Sequence, residues 1–374
     1  MNHINKKTIL TNYRINFRTV IISLLVLFAI NFFCQPADCT KLSSKIDIFG
    51  PVAFSPDGKW LAISVREGNN SFLYKLAWQD TKSDLIRLTR ATHGYEIEPA
   101  FSPDGQRIVY AYDRKSGGQA LNSKLFVLDL DTNKTEALAI SDCDRDCDPV
   151  FSEDGKKIYF IRQNYPTGKD DEMNKFHQQA IGVYCANLDG SSLKSIFYRG
   201  ANCLSLSPDG TKLAFMSGGS TLVKRDGKNI AQAMLVIILS GEKFKTILAL
   251  GPQLTELHNE EHDWSLSKAD TYGAALAIGY AGLSCPVFMP DGKEILFLRD
   301  NVDDPRPFAK ELYSMNLQTR QFEKLPIASI VPIFLTVSPD GSSVVFVGQE
   351  MDAGNSRGNI YVMDLKTKQV RALL

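Results

Sequence analysis

Ser55-Pro56-Asp57-Gly58 is written again at Ser102-Pro103-Asp104-Gly105, Ser207-Pro208-Asp209-Gly210 and Ser338-Pro339-Asp340-Gly341. Ser152-Glu153-Asp154-Gly155 and Met289-Pro290-Asp291-Gly292 repeat it with one change each. Local chemistry makes every copy a tight hairpin turn. Proline presets φ for the second position of a type I turn, aspartate favours the third, and glycine takes the left-handed φ of a bulged hairpin. The leading serine is placed to hydrogen-bond the turn backbone. Short apolar runs precede the turns, such as Pro51-Val52-Ala53-Phe54 and Pro149-Val150-Phe151. Alternating segments such as Arg107-Ile108-Val109-Tyr110 and Glu294-Ile295-Leu296-Phe297 follow them, with the β-branched and aromatic composition of strands.

The turn glycines stand at 58, 105, 155, 210, 292 and 341, in steps of 47, 50, 55, 82 and 49. A period of about fifty in an all-β pattern means a propeller or a solenoid. A further strand pair in each repeat favours the propeller. Leu125-Phe126-Val127-Leu128-Asp129-Leu130 precedes Lys134-Thr135-Glu136-Ala137-Leu138, and the pair recurs near Leu312 and Phe322, then near Ile360 and Val370. Four strands per repeat make one blade, so the six repeats predict an all-β, six-bladed β-propeller of four-stranded antiparallel blades. The propeller spans 40–374, with blades at about 47–94, 95–141, 142–200, 201–283 (with an insertion at 252–283), 284–331 and 332–374.

The whole unit, Pro-x-Phe-Ser-Pro-Asp-Gly followed by an apolar strand and then Ile360-Tyr361-Val362-Met363-Asp364-Leu365, resembles the TolB-like family of propeller repeats, which are WD-repeat-like in kind. The resemblance covers about residues 47 to 374 and implies the fold. TolB proteins also carry a separate α/β domain ahead of the propeller. Only about fifty residues precede the first turn here, so that domain is not expected.

Lys6, Lys7, Arg14 and Arg18 precede an apolar run over 20–33, and no acidic residue comes before Asp38. That order is a secretory signal, making 1–39 a signal peptide or, if uncleaved, a membrane anchor. The run is shorter than the roughly 20 residues a spanning helix needs, and Phe32 and Phe33 disfavour a lipoprotein reading at Cys34. A periplasmic or cell-envelope location follows. Lys+Arg and Asp+Glu balance at 42 each, which argues against a nucleic-acid partner.

Export permits disulfides. Cys143 and Cys147 lie close enough along the chain to pair. Cys203 and Cys285 each stand seven residues before a turn glycine, the position held elsewhere by Pro51, Glu98, Asp148 and Phe334. That position opens the innermost strand near the channel mouth, where Glu98 and Asp148 are expected to line the opening. Adjacent blades would bring Cys203 and Cys285 together, as a disulfide if the strict geometry is met or as two free buried thiols. Cys185 is expected free. In an extended segment Asp142, Asp144, Asp146 and Asp148 share one face. They form either a solvated acidic loop pinned by Cys143–Cys147 or a site for calcium or another divalent cation.

The insertion carries His258, His262 and Trp264. His258-x-x-Glu261-His262 spells an inverted zinc-protease motif, yet that motif belongs to another fold and lacks an identifiable third ligand. A polar interaction loop is the expectation, with no metal and no cofactor. No Gly-x-Ser-x-Gly elbow or phosphate loop is present, so a non-enzymatic role is expected: a protein-binding or scaffolding module with a protein partner in the cell envelope. The alternative is a channel-mouth hydrolase or polysaccharide lyase using a metal or a histidine/carboxylate cluster. It would require His93, Glu98, Asp148, His258 and His262 to gather at one end.

Overall fold

The six turns form as their residues dictate. Each turn glycine has φ between 65° and 73° and donates its N–H to the carbonyl three residues back, as Gly58 does to Ser55 at 2.9 Å. In five turns the serine hydroxyl donates to the aspartate at 2.5–2.6 Å. The same hydroxyl accepts the N–H that opens the next strand at 2.8–3.0 Å. These serine bonds, helped by backbone N–H groups, hold Asp57, Asp104, Asp154, Asp209 and Asp340 below the usual carboxylate range. A depressed folded-state pKa gives stability that is present above the unfolded value and fades as pH falls through the folded one. Met289 offers no hydroxyl, and Asp291 there accepts from Lys293 N–H at 2.9 Å.

This computed structural model describes residues 47–48, 50–79, 85–114, 123–140, 145–163, 181–197, 201–225, 228–239, 246–250, 281–301, 309–327, 330–350 and 358–373. Its strands fall into six four-stranded antiparallel units. The first holds β1 (Ala53–Phe54), β2 (Trp60–Glu67), β3 (Asn70–Ala77) and β4 (Ile86–Arg87). The second holds β5 (Tyr95–Phe101), β6 (Arg107–Asp113), β7 (Lys124–Asp129) and β8 (Lys134–Ala137). In the third are β9 (Arg145–Phe151), β10 (Lys157–Gln163), β11 (Ile181–Asn187) and β12 (Lys194–Phe197). The fourth comprises β13 (Ala201–Leu206), β14 (Lys212–Arg225), β15 (Lys228–Leu239) and β16 (Thr246–Leu250). The fifth comprises β17 (Ala281–Phe288), β18 (Glu294–Asp300), β19 (Lys310–Asn316) and β20 (Phe322–Leu325). The last contains β21 (Ile330–Val337), β22 (Ser343–Glu350), β23 (Asn359–Asp364) and β24 (Val370–Ala372). Short parallel pairings of β3 with β5 and of β15 with β17 merge the first two units and the fourth with the fifth into eight-stranded sheets.

The core lies between units. Six apolar clusters each combine residues of two neighbouring units: Leu73 with Ile108, Val109 with Phe160, Ile161 with Phe215, Ala214 with Phe297, and Leu298 with Phe346. The sixth joins Leu61 and Trp78 of the first unit to Val345 and Val362 of the last. Five residues after its turn glycine, every unit from the second to the sixth places a buried aromatic: Tyr110, Phe160, Phe215, Phe297 and Phe346. The first strands β1, β5, β9, β13, β17 and β21 neighbour one another in that order, and β21 also neighbours β1.

Candidate functional site

The first strand of four units carries a bulge at the same place. Ile97 pairs Ala111 and Ala100 pairs Val109, so Glu98 and Pro99 together face Tyr110. Asp148 with Pro149, Cys203 with Leu204, and Cys285 with Pro286 face Phe160, Phe215 and Phe297 in the same way. An extra residue at a bulge bends the strand and re-aims a side chain. Here the first bulge residue is left-handed in every case, with φ of 57° at Glu98, 47° at Asp148, 56° at Cys203 and 50° at Cys285. This conformation is disfavoured by roughly 1–2 kcal/mol for residues with a Cβ, so the surrounding contacts must hold it.

Those contacts run from unit to unit. Glu98 Oε2 accepts the Asp148 N–H at 2.8 Å, and Asp148 Oδ2 accepts the Cys203 N–H at 2.9 Å. The Cys203 and Cys285 sulfurs stand 3.4 Å apart. Cys285 Sγ in turn donates to the Ile333 carbonyl in β21 at 3.0 Å. Arg145, at the start of β9, brings its guanidinium within 3.6 Å of Glu98 Oε1. Sequence equivalence thus translates into a relay: Glu98, Asp148 and Cys203 each engage the matching residue of the next unit, and Cys285 reaches the carbonyl of Ile333, one residue before the equivalent Phe334.

Burial, and then the Asp148 carboxylate, push Glu98 up to about 7, against the opposing pull of Arg145. Asp148 is raised as well, mainly by burial. A carboxyl whose folded pKa is raised contributes stability that is complete below the unfolded value and is lost as pH rises through the folded one. Glu98→Gln keeps an acceptor for the Asp148 N–H and removes the charge. The displacement to about 7 caps the effect at roughly 3 kcal/mol. With Glu98 13% exposed and Arg145 alongside, about 2 kcal/mol of added stability is expected at pH 8 and almost none at pH 4.5. Urea midpoints at the two pH values check this, and an equal gap at both would rule out the charge as its source.

Two positions further back lies a second set of carboxylates, which sequence reasoning missed or misread. Glu96 is buried and accepts the Leu73 N–H of the first unit at 3.2 Å and the Thr89 hydroxyl. Asp146 is likewise fully buried. Its carboxylate takes both arms of Arg162, Nε at 2.8 Å and Nη2 at 2.9 Å. Main-chain carbonyls at the same two positions receive serine hydroxyls from the preceding unit, Ser71 to Glu96 at 3.2 Å and Ser123 to Asp146 at 2.7 Å.

The acidic-loop expectation is corrected at Asp146. Residues from Arg145 onward belong to β9, so Asp146 faces the interior opposite Arg162 instead of joining a solvated row. Cys147 is a free thiol, 1% exposed, in the apolar cluster with Ile161, Val183 and Phe215. It packs as a small hydrophobe rather than pinning a loop to Cys143. Burial pushes its thiol well up. Cys185 is a free buried thiol in β11, and Cys203 and Cys285 are free. Asp142, Asp144, Cys143, His258, His262 and Trp264 lie outside the described residues, as do the 1–39 segment and the 252–280 stretch of the insertion. Exposed His93 sits with its ring beside the Thr92 hydroxyl at 3.2 Å. Among the described residues, no group of three or more His, Cys, Asp and Glu is arranged to hold a metal ion.

Comparison with known proteins meets this geometry at the level of fold. Residues 37–170 match the TolB beta propeller domain. The chain therefore carries a partial TolB-like propeller domain. A solved chain assigned as TolB from Agrobacterium tumefaciens is 15% identical, with a TM-score of 0.51 over 79% of this chain and 84% of that one. The oligogalacturonate lyase of Vibrio parahaemolyticus is 16% identical, with a TM-score of 0.50 over 88% of this chain and 78% of that one. The tricorn protease is 12% identical, with a TM-score of 0.51 over 90% of this chain but only 31% of its own length. No curated protein sequence matches the chain. A TolB assignment, a lyase and a protease on one shared architecture leave activity to the side chains.

Proposed function

We propose that the six units close into a six-bladed propeller and that the chain works as an exported protein-binding or scaffolding module in the bacterial cell envelope. The closure reading rests on the apolar cluster between the first and last units and on the neighbouring of β21 with β1. The TolB-like domain over 37–170 and the charged, then apolar, N-terminal segment support an envelope location.

One observation carries the choice of a binding role over catalysis. The polar groups at the bulges of the first strands are engaged in linking unit to unit, Glu98 to Asp148, Asp148 to Cys203 and Cys285 to Ile333. Side chains committed in this way make a rigid scaffold, and rigid scaffolds present binding residues on their loops. The partner class is a protein, and the insertion at 252–283 is the stretch proposed to meet it.

An affinity pull-down from native envelope tests this, comparing the wild type with a deletion of residues 252–268. A specific protein retained by the wild type and lost from the deletion is the expected result. Absence of any specific partner, together with stoichiometric metal in the purified protein, would overturn the reading in favour of a channel-mouth hydrolase or lyase.

A further inference from the structure

We propose that Cys203 and Cys285 are a reversible disulfide site, oxidised by a small-molecule or protein disulfide donor, that covalently fastens the fourth unit to the fifth. The inference is independent of what the protein binds.

Three observations place the pair. Both cysteines occupy the same bulge position of consecutive units, in β13 and β17, and both are left-handed. Their sulfurs already face each other at 3.4 Å, which leaves about 1.4 Å to close to the roughly 2.05 Å of a disulfide. The surrounding bonds hold them there: the Cys203 N–H is fixed by Asp148 Oδ2 at 2.9 Å, and Cys285 Sγ points at the Ile333 carbonyl at 3.0 Å. Earlier along this relay a carboxylate meets an amide, at Glu98–Asp148 and Asp148–Cys203, and after it a thiol meets a carbonyl, at Cys285–Ile333. At this joint of the relay two thiol sulfurs meet.

The chemistry is thiol–disulfide exchange. One cysteine thiolate attacks a sulfur of the donor, forming a mixed disulfide and releasing one donor thiol. The second cysteine thiolate then attacks the bonded cysteine sulfur and displaces the other donor thiol. The two cysteines lose two electrons and two protons, and the donor is reduced to two thiols. The Cys285 thiol and burial push Cys203 well above its usual value, so the thiolate is scarce at neutral pH and oxidation should accelerate as pH rises. The product has a directional effect. Cys285 gives up the hydrogen it donates to Ile333, so a covalent bond from the fourth unit to the fifth replaces a hydrogen bond from the fifth to the sixth. The new bond ties together residues 82 apart in the chain, a long loop of the kind whose closure most restricts the unfolded state.

The test uses the full-length reduced protein incubated with oxidised glutathione at pH 7 and pH 9. The reaction is quenched with iodoacetamide in denaturant and mapped by peptide mass. Peptides bearing Cys203 and Cys285 should be recovered joined, faster at the higher pH and separable again by dithiothreitol. The oxidised form should melt higher by on the order of 5 °C. The Cys285→Ala variant should lose the cross-link while keeping its far-ultraviolet circular dichroism. Three results would each overturn the proposal: both cysteines still fully alkylated after oxidation, a stable glutathione adduct at Cys203 with Cys285 free, or either cysteine joined instead to Cys143, Cys147 or another chain.

Discussion

Asp146→Ala is expected to lower stability by about 3–5 kcal/mol, the range for removing one partner of a buried ion pair. Asp146 is 0% and Arg162 4% exposed, and both guanidinium arms reach the carboxylate. The loss arises because the Arg162 charge stays buried without its carboxylate, rather than because the pair itself is highly stabilising. Replacing both partners separates the two accounts. Asp146→Leu combined with Arg162→Met should recover most of the loss, since apolar groups of similar volume can replace such a pair at little cost. Urea unfolding of the single and double variants measures it. A single variant within about 1 kcal/mol of wild type would show that the pair is not fully desolvated.

Phe215→Ala is expected to lower stability by about 3–5 kcal/mol through lost burial and the cavity left behind. Phe215 is 0% exposed, stands 4.7 Å from the Phe197 ring centroid, and faces the Cys203–Leu204 bulge. It also packs in the cluster that carries Cys147 and Ile161 of the preceding unit, so the void would open at a joint and not within one sheet. A second readout follows from that placement. Alkylation of Cys147, which is 1% exposed, should accelerate in the variant, whereas a loss confined to the fourth unit would leave its rate unchanged.

What was legible in the sequence was what local chemistry fixes. The serine-to-aspartate turn needs only neighbours along the chain, so its hydroxyl bonds, left-handed glycine and following strand could all be read from four residues. Counting back from the turn glycine also aligned Glu98, Asp148, Cys203 and Cys285, because repeats keep their spacing. What the count could not supply was the backbone: three carboxylate or thiol residues before a proline (Glu98, Asp148, Cys285) gave no sign that their φ is positive. Asp146 was misread as one of a solvated row because its partner is 16 residues away, on the next strand. A signal was present, however. Arg162 closes the run Ile158-Tyr159-Phe160-Ile161, and a lone charge in an apolar strand calls for a buried counter-charge. Glu96 offered the same hint between Tyr95 and Ile97.

The six joints are not fastened alike. The first and second units share main-chain bonds, Ser71 N–H to the Gly94 carbonyl at 3.0 Å among them. The first and last meet through Ile48, Val65 and Trp78 against Val345, Val347 and Val362, with a long N–H to carbonyl contact from Ile48 to Gly358 at 3.5 Å. Apolar association weakens on cooling. That contact between the first and last units is therefore expected to lose relatively more of its hold on cooling than the joint of the first and second units, which main-chain bonds also tie.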